Sequence, residues 1–211
     1  MGIFSLAVKI AIICFAALGL YLASGLPQKK FQAAGLVYFT VLSVLFCLLY
    51  FIVSLILKGF GVAGGRPMIF IHGAAVLCIA ITMTVYHFIL APRLRKGPER
   101  YKVFAFPNLC VHYIVPSLTI IDWLLFSPKG QYTLYDPLWW AALVLIYFIV
   151  IVLRARLRGR IENSESRYPY YFIDIDAIGV KKTARNVLGL SLVVVAVGYV
   201  FVLLDFLLSK I

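Results

Sequence analysis

Six apolar stretches, each long enough to cross a bilayer, dominate this chain. They run over residues 4–23, 34–57, 68–91, 103–126, 137–153 and 187–208. A helix needs about 20 consecutive apolar residues to span the hydrocarbon layer, and every backbone group inside that layer must be bonded within the segment itself. The expected fold is therefore all-α, a polytopic integral membrane bundle of six transmembrane helices. Composition agrees: 64% of residues are hydrophobic and only 13% charged, with a mean hydropathy of +1.01. A soluble domain carries nearer 25% charged residues and could not hide so much apolar surface. Six spans occupy over half of 211 residues, so residues 1–211 read as a single transmembrane domain.

Punctuation between the spans fits this division. Gly25 to Lys30, Lys58 to Pro67, Pro92 to Lys102 and Ser127-Pro128-Lys129-Gly130 mark turns, and the longest connection runs from Arg154 to Asn186. Lys9 lies inside the first stretch and no basic segment precedes it, so that stretch reads as a span rather than a signal peptide. The formal charge of +12 would suggest nucleic acid in a soluble protein. Here it follows position instead, and no nucleic-acid partner is expected. Fifteen Lys and Arg fall in the first, third and fifth connections against five elsewhere. The positive-inside rule then puts those connections in the cytoplasm and both termini on the other side. Cys14, Cys47, Cys78 and Cys110 fall singly in four spans, as packing residues, and no histidine spacing suggests a metal.

Against this background the polar residues at membrane depth carry the functional information, because ionisable groups there are costly and mark sites. In the fourth span Asn108, His112, Val115, Thr119 and Asp122 recur at steps of four and three, along one helical face. Asn108 stands one turn before His112 and could orient its imidazole. Asp122 is about 15 Å further along the axis at 1.5 Å per residue, too far for a direct partner on a straight helix. Pro116 lies between them and removes a backbone donor, which is expected to bend the span. The second span offers Thr40, Ser43 and Cys47 as a polar stripe, and the third offers His72, Thr82, Thr84, Tyr86 and His87. The last connection contains Tyr168-Pro169-Tyr170-Tyr171-Phe172-Ile173-Asp174, which suits either an interfacial belt or a lid over a polar cavity.

These features resemble a known family. Phe39-Thr40 early in the second span, His112-Tyr113-Ile114-Val115-Pro116 followed by Asp122-Trp123 in the fourth, and Tyr168-Pro169 through Asp174 and Gly179 are similar to the androgen-induced, androgen-dependent membrane hydrolases and their bacterial six-helix relatives. The resemblance spans nearly the whole chain. It implies a threonine-type carboxylic ester hydrolase acting on fatty acid esters of hydroxy fatty acids or similar lipid esters, with Thr40 as nucleophile and His112 as base. Neither a cofactor nor a metal is implied, and the partners are a membrane lipid substrate and the bilayer. Asp122-Trp123 follows the bacterial branch, which points to a bacterial cytoplasmic membrane rather than the endoplasmic reticulum. Asn108, Asp122, Tyr86, Tyr168 and Asp174 are the candidates for substrate binding or support of the pair, with Asn108, Tyr86 or the Tyr168 segment as oxyanion donors. The alternative is a small transporter or lipid-binding protein whose polar cavity is lined by His112, Asp122 and Asp174.

Overall fold

In a computed structural model the chain is an all-α bundle without strands among its described residues, which are 2–29, 33–96, 103–162 and 164–211. Lys30, Arg100 and Lys102, counted above for orientation, lie outside them. Six helices are long and apolar enough to cross a membrane: α1 (Ile3–Ala23), α2 (Phe39–Gly59), α3 (Gly65–Leu94), α4 (Phe106–Phe126), α5 (Asp136–Arg158) and α6 (Val180–Leu208). The protein is thus a multi-pass membrane protein. Two helices outrun their apolar stretches. The last turns of α5 carry Arg154, Arg156 and Arg158, and the first turns of α6 carry Lys181, Lys182 and Arg185. Hydropathy cannot register these turns because they emerge from the hydrocarbon layer, yet their backbone bonding continues. The second apolar stretch instead starts early, since residues 33–37 form a separate 3-10 turn before α2.

Helix α3 is the hub. It packs against α2, α4, α5 and α6, while α1 closes the other side on α2 and α4, and α5 pairs with α6. Its middle turns, His72 to Thr82, are buried without interruption. Between helices in lipid, packing rather than water exclusion drives association, so small residues at crossings matter. A Cβ on Gly73 would fall within the Trp140 ring, one on Gly19 would meet Val111 Cγ1 at 2.8 Å, and one on Gly198 would meet Pro137 Cβ at 2.8 Å. These three glycines set the α3–α5, α1–α4 and α5–α6 crossings. Trp140 also donates its indole N–H to the Phe70 carbonyl at 3.0 Å, which fixes the α3–α5 register.

Both α3 and α4 contain a π turn just before a proline. In α3 it covers Tyr86–Leu90 ahead of Pro92, and in α4 Cys110–Ile114 ahead of Pro116. Proline has no N–H and its ring clashes with the carbonyl four residues back, so the preceding turn widens. At Pro116 the structure shows this π turn in the preceding residues. The two widened turns lie side by side at the end of the bundle that carries the α1–α2, α3–α4 and α5–α6 connections, the basic end.

Candidate active site

Thr40 stands in the first turn of α2, directly after Tyr38 and Phe39. Helix-initial N–H groups have no intrahelical acceptor and make that end electropositive. The start of α2 is held in place from two sides. Tyr147 of α5 donates its hydroxyl to the Val37 carbonyl at 2.9 Å and meets the Phe39 ring edge-on at 5.1 Å. Tyr170, from the α5–α6 connection, meets Tyr38 edge-on at 5.8 Å.

His112, in the π turn of α4, brings Nε2 to 3.3 Å from Thr40 Oγ1. Its other nitrogen, Nδ1, lies 3.2 Å from the Asn108 carbonyl oxygen. A carbonyl only accepts, so Nδ1 carries the proton and Nε2 presents its lone pair to the threonine hydroxyl. Tyr86, in the π turn of α3, stacks on the imidazole with ring centroids 3.5 Å apart and planes 13° from parallel. Its own hydroxyl donates to the Val103 carbonyl at 3.1 Å. The imidazole plane and tautomer are therefore both fixed, one by Tyr86 and the other by Asn108. Below the pair, Ser43 Oγ lies 3.0 Å from the Thr40 carbonyl and 2.7 Å from Thr82 Oγ1, tying the threonine turn to α3.

Thr40 faces an apolar cavity walled by Phe39, Val144, Phe148, Tyr170, Ile173 and Val187, among others. Tyr170 is the residue of the aromatic connection that reaches this site. Burial pushes its phenol up to about 12, partly offset by the nearness of the Thr40 hydroxyl and of the backbone of Phe39 and Thr40. It is a neutral donor at physiological pH, set against the nucleophile position.

Of the residues singled out from sequence, Thr40, His112, Asn108 and Tyr86 come together, with Asn108 contributing its carbonyl to the imidazole. Tyr168 is buried two residues short of the cavity wall, in the cluster with Ile151 and Ala155 that seats the connection on α5. Asp174 acts locally: Oδ2 accepts from Ser166 Oγ at 2.6 Å, and Oδ1 accepts the N–H groups of Asp176 and Ala177, capping the short helix Ile175–Ile178. Asp122 stands apart, towards the opposite end of the bundle. Wholly buried, it pairs with Lys9 of α1, and its second oxygen lies 3.9 Å from His72 Nε2. This pairing accounts for a lysine inside the first span. His112, Asp122 and Asp174 thus border three different places rather than one cavity. Tyr170 was the member that sequence reasoning passed over in favour of Tyr168. Both tyrosines stand in the same aromatic run, and what separates them is the long-range contact of Tyr170 with Tyr38, which no local spacing signals. Among the described residues no cluster of three or more metal-binding side chains is found. The four cysteines are free. Compared with family models, curated proteins and solved structures, the chain matches none.

Proposed function

We propose that the protein is an intramembrane lipid-ester hydrolase with Thr40 as nucleophile and His112 as general base. One observation carries this reading: the 3.3 Å approach of Thr40 Oγ1 to an imidazole nitrogen whose lone pair is aimed at it by the Asn108 carbonyl. A threonine hydroxyl attacks only when a base removes its proton, and base and hydroxyl must stand within hydrogen-bond reach, a distance often looser before substrate binds.

The steps balance on these residues alone. Thr40 Oγ1 gives its proton to His112 Nε2 and bonds to the ester carbonyl carbon, placing negative charge on the carbonyl oxygen. His112 then protonates the departing alkoxide, leaving an acyl-threonine. Water, deprotonated by His112, bonds to the acyl carbon; the acyl bond to Thr40 Oγ1 then breaks, Oγ1 takes the proton back from His112, and the acid leaves. The oxyanion would be met by the Tyr170 hydroxyl and the electropositive first turn of α2, which supply fixed donors where charge develops. The apolar lining suits the few methylenes that flank an ester carbonyl, and with the basic end of the bundle in the cytoplasm the site lies in the inner half of a bacterial cytoplasmic membrane. The resemblance to the androgen-induced membrane hydrolases points the same way.

The test uses purified protein in nanodiscs and a branched fatty ester. Turnover, with labelling of Thr40 by a fluorophosphonate, is expected. Activity and labelling that survive both Thr40→Ala and His112→Ala would overturn the reading.

A further inference from the structure

Beside the Thr40 cavity runs a larger groove between α5 and α6, open at the basic end of the bundle. The two share the walls Leu145, Phe148, Val187 and Ser191. Their sizes differ greatly. The space at Thr40 is about 50 Å³, whereas the groove holds about 690 Å³. Small-molecule sites fall at about 300–1,000 Å³. Only a few atoms of a ligand fit beside Thr40, so the bulk of any lipid must lie elsewhere, and the groove is an adjoining space of adequate size.

The groove is chemically two-ended. Along the helices its walls are Leu145, Phe148, Val152 and Leu188, exposed or half-buried on the lipid-facing surface. From Leu145 to Arg156 this apolar track covers about 16 Å of helix at 1.5 Å per residue. At the basic end it finishes at Arg156, Arg167 and Thr183. Arg167 is already engaged, with two nitrogens on Asp176 at 2.7 and 2.6 Å. Arg156 enters no ion pair among the described residues and is exposed to the groove mouth. Thr183 is 1% exposed, yet its hydroxyl has no hydrogen-bond partner in the described structure. A buried hydroxyl left unpaired costs free energy, so one that also lines a groove marks where a ligand acceptor belongs.

We propose that the α5–α6 groove binds a single-chain anionic lipid, its oxyacid headgroup held by Arg156 and Thr183 and its chain lying along Leu145, Phe148 and Leu188. The charge favours this occupant: a guanidinium and an unpartnered hydroxyl border the same groove at the basic end of the bundle, beyond an apolar track on the lipid-facing surface. Its delivery of an ester through the shared wall to Thr40 rests on the hydrolase reading; binding in the groove does not.

The experiment is native mass spectrometry of the full chain released from zwitterionic nanodiscs, titrated with dodecyl phosphate, dodecanoate, dodecanol and inorganic phosphate. Dodecyl phosphate and dodecanoate are expected to bind about tenfold more tightly than dodecanol, and inorganic phosphate is expected neither to bind nor to compete. Arg156→Gln and Thr183→Val should each weaken anionic binding about five- to tenfold while leaving dodecanol unchanged. Arg156 is exposed, so its replacement does not threaten folding. Thr40→Ala should bind like the wild type. Equal binding of dodecanol and the anions, or anionic binding untouched by both groove variants, would overturn the proposal. Competition by inorganic phosphate alone would make the site a phosphate site and overturn it as well. Should the groove variants behave as stated while no ester is turned over, the hydrolase reading fails and the groove stands.

Discussion

Thr40 Oγ1 and His112 Nε2 lie 3.3 Å apart although 72 residues separate them in the chain. Each belongs to an irregular part of its helix, Thr40 to a first turn and His112 to a π turn before a proline. If the pair is catalytic, Thr40→Ala and His112→Ala should each lower ester turnover about 10²–10⁴-fold, the range that base-assisted attack supplies. Thr40→Ser keeps the hydroxyl and is expected to retain measurable turnover. Thermal melting of the two Thr40 variants in detergent should stay near the wild type, since Thr40 is half-buried, whereas His112→Ala removes a buried ring stacked on Tyr86 and should melt lower, so its turnover is compared per folded molecule. Turnover of a fatty ester in nanodiscs checks this.

The Tyr86–His112 stack separates positioning from chemistry. Tyr86→Phe preserves the ring and removes the hydroxyl that bonds the Val103 carbonyl. It should therefore lower stability by about 1 kcal/mol and leave the pH profile of turnover in place. Tyr86→Ala removes a side chain that is 2% exposed and frees the imidazole to rotate. A loss of about 3–5 kcal/mol is expected for so large a truncation, together with lower turnover that Tyr86→Phe does not show. Parallel melting and kinetic measurements on the two variants distinguish the outcomes.

Legibility in the sequence differed between spans and site for physical reasons. The six spans were legible because hydrocarbon imposes a length and composition on any segment that crosses it, and the structure carries six helices long and apolar enough to do so. Helix ends were less so, because α5 and α6 continue into water on arginine and lysine that hydropathy scores as loop. The polar face of α4 was legible from its spacing, and His112, Thr119 and Asp122 are indeed buried. Its division into two sites was not, since periodicity reports which face a residue occupies and not what the facing helices bring to it. Lys9 and His72 decide the surroundings of Asp122, while Thr40 and Tyr86 decide those of His112. Tyr170 depended on a connection that folds back onto α2, a long-range contact without local signature.

The Lys9–Asp122 pair predicts an asymmetry between single and double variants. Either partner removed alone leaves a charge buried in the bundle, a loss of about 3–5 kcal/mol. Asp122→Asn and Lys9→Met should each lower the melting temperature markedly. Lys9→Met combined with Asp122→Leu removes both charges and should recover most of the loss. Because the pair stands apart from Thr40 and His112, turnover per folded molecule is expected to be unchanged in the double variant. A double variant no more stable than either single one would show that the helices do not depend on charge pairing there.

Tyr170 gives the pH dependence. Its phenol is held up at about 12 by burial, above the ordinary tyrosine value of about 10. For an acid whose folded value is raised, the stabilisation is complete below the unfolded value and is lost as pH rises through the folded one. The contact of the α5–α6 connection with the start of α2 should therefore hold up to about pH 10 and weaken between about pH 10 and pH 12. As pH rises through about 12 the folded Tyr170 also ceases to be a donor, so turnover per folded molecule should fall there. Tyr170→Phe keeps the packing on Tyr38 but lacks the hydroxyl. It is expected to lower turnover about 10²-fold, as loss of one oxyanion donor does, and to abolish the alkaline fall. The difference in ultraviolet tyrosinate titration between wild type and Tyr170→Phe isolates this one phenol among thirteen tyrosines. A difference curve centred near pH 10 would place Tyr170 in water and remove it from the site.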